Sequence, residues 1–160
     1  MKLIYSIFSF YVKSSIHVAL AVVFLTKITS ELINLNLNKV LLIFIFCCVL
    51  VAYIFIKFFL NINEDDYIKN HKSIEIISIT FIFFIIGFFS FFYLNLNSKI
   101  TALLVFFLVI LYSIPLFGFS NNLRNLSGIK IYIVSLSWTI VSVFLPYFNS
   151  HYFQLNHLLL

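Results

Sequence analysis

The chain has 160 residues, enough for one domain of ordinary size. Hydrophobic residue types make up 63% of it and charged types only 9%, whereas a soluble domain carries about 25% charged residues. A soluble protein of this length could not bury so much apolar surface, so the composition excludes water-soluble enzymes and indicates an integral membrane protein. The net charge of +5 does not indicate a nucleic-acid partner, because the cations are spread between apolar runs rather than gathered on one segment.

Five apolar stretches are long enough to cross a lipid bilayer. A hydrocarbon core about 30 Å thick needs roughly 20 residues of helix. The backbone of a spanning segment must satisfy its own hydrogen bonds, and none of the five stretches alternates polar with apolar residues as a barrel strand would. The sequence therefore predicts an all-α transmembrane helix bundle that forms a single domain over residues 1–160. Its spans are expected at about 14–33, 40–60, 74–94, 100–119 and 129–148.

The distribution of lysine and arginine predicts the orientation of these spans. One side holds Lys2, Lys13, Lys57, Lys69, Lys72, Arg124 and Lys130. The other side holds Lys27, Lys39 and Lys99. Cytoplasmic loops carry an excess of these cations, so the N-terminus, the 61–73 loop and the 120–128 loop are predicted to lie in the cytoplasm.

Two short connections on the other side resemble each other. They run over residues 35–39 and 94–99, and each contains Leu-Asn-Leu-Asn before a lysine. Such short connections predict two tight antiparallel hairpins, one from spans one and two and one from spans three and four.

Two smaller features lie inside the predicted spans. Lys27 and Glu31 are four residues apart, which places them on one helix face, either as a self-neutralising pair near the interface or as the polar lining of an internal cavity. Cys47 and Cys48 are adjacent and match no metal-binding or redox spacing, so both are predicted to be buried free thiols.

The 61–73 loop contains the main acidic cluster of the chain. Glu64, Asp65 and Asp66 follow one another there, and lysines flank them on both sides. Carboxylates are the ligands that Mg²⁺ prefers, and a bound Mg²⁺ could hold a diphosphate at the cytoplasmic mouth. Lys57, Lys69 and Lys72 could contact phosphate oxygens directly. The alternative interpretation is a solvated loop whose acids balance its bases.

The stretch 112–146 carries the most distinctive motifs. It reads Tyr112-Ser113-Ile114-Pro115, then Asn122-Leu123-Arg124, then Gly128-Ile129-Lys130-Ile131-Tyr132, and finally Trp138 and Leu145-Pro146. Pro115 is predicted to kink or end the fourth helix, and Gly128 permits a turn into the fifth. Arg124 and Lys130 are then expected at the same mouth as the 61–73 loop.

At these residues the chain resembles the UbiA prenyltransferase family, particularly its versions from Bacteroidetes. In those, Tyr-x-x-Pro ends the fourth helix and leads through a basic loop to Asn-Leu-Arg-x-x-x-Gly-x-Lys-x-Tyr, and a helix with Trp and then Leu-Pro follows. Stretches 14–21 and 53–57 are also similar to theirs. The similarity is spread over nearly the whole chain, which corresponds to about five of the family's usual nine spans.

The resemblance implies an intramembrane enzyme of the bacterial inner membrane. Such enzymes transfer a prenyl group from a polyprenyl diphosphate to an acceptor, with Mg²⁺ as cofactor. Asp-rich cytoplasmic loops bind the metal and the diphosphate, and basic residues between the fourth and fifth spans assist. Carried onto this chain, the resemblance implies Mg²⁺ at Asp65 and Asp66, and diphosphate at Lys57, Arg124 and Lys130.

The sequence departs from the family at its first metal motif, Asn-Asp-x-x-Asp-x-x-x-Asp. When the motif is aligned from Asn61, Asp65 falls on a carboxylate position, but Ile62 and Lys69 occupy the other two. The family's second Asp-rich motif would lie beyond Leu160. The site residues are therefore only partly those that the family's chemistry uses.

Three functions stay open on the sequence. The first is a truncated or degenerate UbiA-like membrane protein that transfers no prenyl group of its own. The second is an active prenyltransferase that is completed by homo-oligomerisation or by a separately encoded C-terminal half. The third is a non-enzymatic membrane scaffold or lipid-binding subunit.

Overall fold

The computed structural model describes residues 5, 8, 11–12, 14–60, 71–113 and 128–150, and for residues 58–60, 71–75 and 129–130 it describes the backbone only. The described part of the chain is a helical bundle without strands, which confirms the predicted all-α class. Its elements are α1 (Ile16–Leu32), α2 (Lys39–Leu60), α3 (His71–Phe92), α4 (Leu96–Ser113), α5 (Ile129–Thr139), a π-helical segment (Ile140–Phe144) and α6 (Leu145–Ser150).

Three described helices are long and apolar enough to cross a membrane. They cover Lys39–Lys57, Leu96–Ser113 and Ile131–Ser150, and the third runs through α5, the π-helical segment and α6. Ile76–Phe92 is a shorter apolar helix, and α1 has 17 residues, which at 1.5 Å each is about 25 Å. The membrane class follows from these lengths, whereas five passes and their orientation stay predictions.

The helices alternate in direction, and the contacts between them define the two ends of the bundle. Phe44 near the start of α2 packs on Phe91 near the end of α3, with ring centroids 6.1 Å apart. Thr29 near the end of α1 contacts Ser142. Asn95, just before α4, likewise contacts Asn149 near the end of α6. The starts of α1, α3 and α5 therefore lie with the ends of α2 and α4, and we call this the Lys57 end.

The helices of the first predicted hairpin are close neighbours, although α2 packs even more on α3, whereas those of the second barely touch within the described residues. Residues Ile33–Asn38 join α1 to α2, and these helices are neighbours. Residues Tyr93–Asn95 join α3 to α4, but α3 packs mainly against α2, and α4 packs against α2, α5 and α6. The short connection limits how far the helix ends separate, but it does not determine which faces meet.

The core lies where α1, α2 and the α6 end of the last helix meet. The apolar cluster consists of Val22, Leu41, Phe44, Ile45, Leu94 and Leu145. Small polar residues are also buried in the bundle: Ser14, Ser15, Thr26, Ser30, Ser90, Ser98, Ser113 and Ser142. The chain has only three glycines, and serine and threonine take their place as the small residues that let membrane helices approach one another.

Two glycines serve different purposes. Gly128 precedes α5 with φ 91°, a conformation that favours glycine, so the predicted turn into the last helix is confirmed. Gly87 lies in α3, where a Cβ would come within 3.2 Å of the Cys47 Cβ and 3.9 Å of the Cys48 Sγ. Its missing side chain permits the close approach of α3 to α2.

Candidate functional site at the Lys57 end of the bundle

Lys57 is the predicted site residue whose side chain the structure describes. It lies in the last turn of α2, is half-buried, and its Nζ donates a hydrogen bond to the Val12 carbonyl at 3.3 Å. A lysine in the last turn also interacts favourably with the negative end of the helix dipole. The side chain therefore holds its charge at the surface of the bundle, beside the chain that leads into α1.

The other predicted site residues are described less fully. Lys130 is the second residue of α5, and its side chain is not described. Asp65, Asp66 and Arg124 lie outside the described residues. Within the described ranges, no group of three histidine, cysteine, aspartate or glutamate residues could hold a metal ion. The Mg²⁺ site at Asp65 and Asp66 therefore stays a prediction.

A shallow apolar groove begins one residue after Lys130. Ile131, Val134, Ser135 and Trp138 line it on one face of α5, and its volume is about 460 Å³. The groove lies in the half of the last helix nearest the Lys57 end.

Polar contacts hold the half of the last helix that lies away from Lys57. We call them the polar seam; they come from Thr29, Asn95 and Ser98. Pro146 has no backbone N–H, so the Ser142 carbonyl four residues earlier lacks the donor that an α-helix would supply. The Thr29 hydroxyl of α1 has three carbonyls within hydrogen-bond distance, and that of Ser142 at 2.7 Å is nearer than those of Leu25 and Thr26, both at 3.0 Å. The π-helical segment, in which the Leu145 N–H bonds to the Ile140 carbonyl, lies directly before Pro146. In a membrane a freed carbonyl must find another donor, and Thr29 is that donor.

The seam continues to the end of the bundle away from Lys57. The Asn95 Nδ2 donates to the Asn149 carbonyl at 2.7 Å, and the Ser98 hydroxyl donates to the Leu145 carbonyl at 3.5 Å. Sequence reasoning missed this seam, although a proline inside an apolar run followed by polar residues is a usable signal. The seam fixes α4 and α1 against the last helix. Among the described residues, no comparable set of hydrogen bonds to the last helix is found at the Lys57 end.

The two smaller sequence features are partly confirmed. Lys27 and Glu31 form an ion pair at 4.0 Å, but their side chains are 58% and 69% exposed, so they do not line an internal cavity. Cys47 and Cys48 are both free, yet only Cys47 is buried and Cys48 is exposed. Adjacent residues on a helix point about 100° apart, so the two thiols face different surroundings.

No protein-family model, no curated protein and no solved structure matches the chain. The motifs of stretch 112–146, rather than a measured relationship, therefore carry the resemblance to UbiA prenyltransferases.

Proposed function

We propose that the chain is a polytopic inner-membrane protein of the UbiA type that binds a polyprenyl diphosphate at its Lys57 end. It would cross the membrane five times, with the N-terminus in the cytoplasm. The supporting observation is that α2 and α4 end, and α3 and α5 begin, at the same end of the bundle. The two segments between these helices contain Asp65, Asp66 and Arg124, so all five predicted site residues belong to that end or to segments that leave it.

The ligand class fits the surface available at this end. A polyprenyl diphosphate has an anionic head and a long apolar tail. Lys57 and Lys130 supply positive charge, and the apolar groove of α5 starts at Ile131, the residue after Lys130. The head would lie at the cytoplasmic mouth while the tail follows the groove into the membrane.

The basic and acidic site residues would bind the diphosphate head in different ways. Lysine and arginine side chains form charge-assisted hydrogen bonds with phosphate oxygens. Asp65 and Asp66 would hold Mg²⁺, which, when bound, offsets the charge of the diphosphate. Binding, rather than prenyl transfer by this chain alone, is proposed, because Ile62 and Lys69 stand where the family's first motif has carboxylates.

We expect farnesyl diphosphate to bind the purified protein in a Mg²⁺-dependent manner. Replacing both acids in an Asp65→Asn, Asp66→Asn variant removes the charged metal ligands and is expected to weaken binding at least tenfold, as is chelation of the metal. Equilibrium binding in neutral detergent, with and without Mg²⁺, measures both effects.

Glu31→Gln provides the matched control, because Glu31 is an exposed acid near the other end of the bundle. The Glu31→Gln protein is expected to bind farnesyl diphosphate with the affinity of the wild type. Wild-type binding that neither Mg²⁺ nor the two aspartates affect would contradict the metal site. An absence of binding in every condition would contradict the proposed function and favour a membrane scaffold.

A further inference from the structure

A second polar feature lies at the Lys57 end, at the start of α1. Ser15 precedes this helix, and its carbonyl accepts the N–H groups of Val18 and Ala19 at 3.1 and 3.2 Å. Its φ of 58° and ψ of 20° are left-handed, and its side chain makes no capping hydrogen bond. An N-cap serine normally has an extended backbone, from which its hydroxyl accepts a hydrogen bond from the first turn. The start of α1 is therefore uncapped by its own serine.

The Ser15 hydroxyl has no hydrogen-bond partner among the described residues. The residue is 1% exposed, and its Oγ is the buried side-chain polar atom for which the described residues offer no hydrogen-bond partner. An unpaired buried hydroxyl is costly, and such groups in native proteins call for an explanation such as a bound ion. Ser14, its neighbour, is equally buried but donates to the Tyr11 carbonyl at 3.3 Å.

The first N–H groups of a helix also lack intrahelical acceptors and carry the positive end of the helix dipole. In α1 these are the N–H groups of Ile16 and His17, which have no backbone acceptor among the described residues that precede the helix. One anionic oxygen cluster could accept hydrogen bonds from both and from the Ser15 hydroxyl. The unmet donors at this point therefore match the chemistry of an anion rather than that of a cation or an apolar group.

Lys57 brings a full positive charge to the same place. Its Nζ and the Ser15 N–H both donate to the Val12 carbonyl, each at 3.3 Å, so the two groups are neighbours around one oxygen atom. The buried Ser15 lies next to the surface, because His17 is exposed and Lys57 is half-buried. A helix start, an unpaired buried hydroxyl and a lysine thus meet at one end of the bundle.

We propose that the start of α1, with Ser15 and Lys57, binds a phosphate group. The site shares Lys57 with the proposed function but goes beyond it, because it requires neither Mg²⁺ nor the two aspartates. Its phosphate could belong to an anionic lipid headgroup or to a soluble phosphate compound, and both present the same oxygens. Ser15 and the helix start give directional hydrogen bonds, and Lys57 compensates the charge.

The test measures binding of short-chain phosphatidic acid and of inorganic diphosphate to the full-length protein in neutral detergent with EDTA. We expect Ser15→Ala and Lys57→Gln each to weaken binding about tenfold, the usual loss for one charge-assisted hydrogen bond. Ser14→Ala and Lys99→Gln are the controls, because Ser14 has its own acceptor and Lys99 lies at the opposite end of the bundle. Both controls are expected to bind like the wild type.

The two ligands distinguish the sources of the phosphate. Binding of phosphatidic acid alone assigns the site to a lipid headgroup, and equal binding of diphosphate assigns it to a soluble compound; both support the site. The site would be overturned if neither ligand bound, or if the control variants lost as much affinity as Ser15→Ala and Lys57→Gln. The Asp65→Asn, Asp66→Asn variant is expected to retain this EDTA-resistant binding, so this site and the proposed Mg²⁺ site can fail separately.

Discussion

Replacing Gly87 with leucine is expected to destabilise the bundle by about 2 kcal/mol, because overpacking of a close contact typically costs 1–3 kcal/mol. Gly87 is buried where α3 meets α2, and a Cβ alone would lie 3.2 Å from the Cys47 Cβ. The further atoms of leucine would meet the same helix, so α3 would have to move away from it. The free energy of unfolding in mixed micelles, titrated with a denaturing detergent, measures the loss.

Two control variants separate the contact from other effects of the substitution. Gly87→Ala gains about 1 kcal/mol of helix propensity, which offsets much of the tight contact, so its stability is expected to stay near that of the wild type. Phe89→Leu introduces leucine at a position of the same helix that is 63% exposed, and is expected to change stability by less than about 0.5 kcal/mol. A Gly87→Leu protein as stable as the wild type would mean that α3 does not lie against Cys47.

Removing the Thr29 hydroxyl is expected to cost about 1.5 kcal/mol, near the upper end for hydrogen bonds between membrane helices. Thr29→Val keeps the shape of the side chain but leaves the Ser142 carbonyl without the hydroxyl that contacts it at 2.7 Å. The loss is expected to be large because Pro146 cannot supply the backbone N–H that would otherwise reach this carbonyl. Stability of the two proteins in mixed micelles measures the loss.

A double-mutant cycle tests the part that Pro146 plays. Pro146→Ala restores an N–H four residues after Ser142, so in that background Thr29→Val is expected to cost about 1 kcal/mol less. Thr29→Ser keeps a hydroxyl and should stay closer to the wild type than Thr29→Val does. If Thr29→Val cost the same with proline and with alanine at position 146, the hydroxyl would not be replacing the missing donor.

The helices could be predicted from the sequence because membrane lengths impose long apolar runs. Lys39–Leu60 and Leu96–Ser113 overlap the predicted second and fourth spans, and the last helix extends from Ile129 to Ser150 as expected within two residues. The partners of each helix could not be predicted, because almost every face is apolar. That α3 packs on α2 depends on one small residue, Gly87, whose role becomes visible only with its neighbour Cys47.

The polar contacts were harder to predict than the helices. Thr29 and Ser142 are 113 residues apart, and nothing in either stretch indicates that they meet. Nothing in the sequence distinguishes Ser15 from other serines, and only the structure shows its left-handed backbone and a buried hydroxyl without a partner among the described residues. Motif similarity could nominate Asp65, Asp66 and Arg124, but the geometry of these residues lies outside the described part of the chain.

The orientation of the bundle underlies the proposed cytoplasmic diphosphate site, and cysteine labelling tests it most directly. In a Cys47→Ala, Cys48→Ala background, one variant carries Asn36→Cys in the connection between α1 and α2, and another carries Asn63→Cys in the predicted cytoplasmic loop. A membrane-impermeant maleimide added to intact spheroplasts is expected to label Asn36→Cys and to label Asn63→Cys only after permeabilisation. Labelling of Asn63→Cys in intact spheroplasts, with Asn36→Cys protected, would contradict a cytoplasmic Lys57 end.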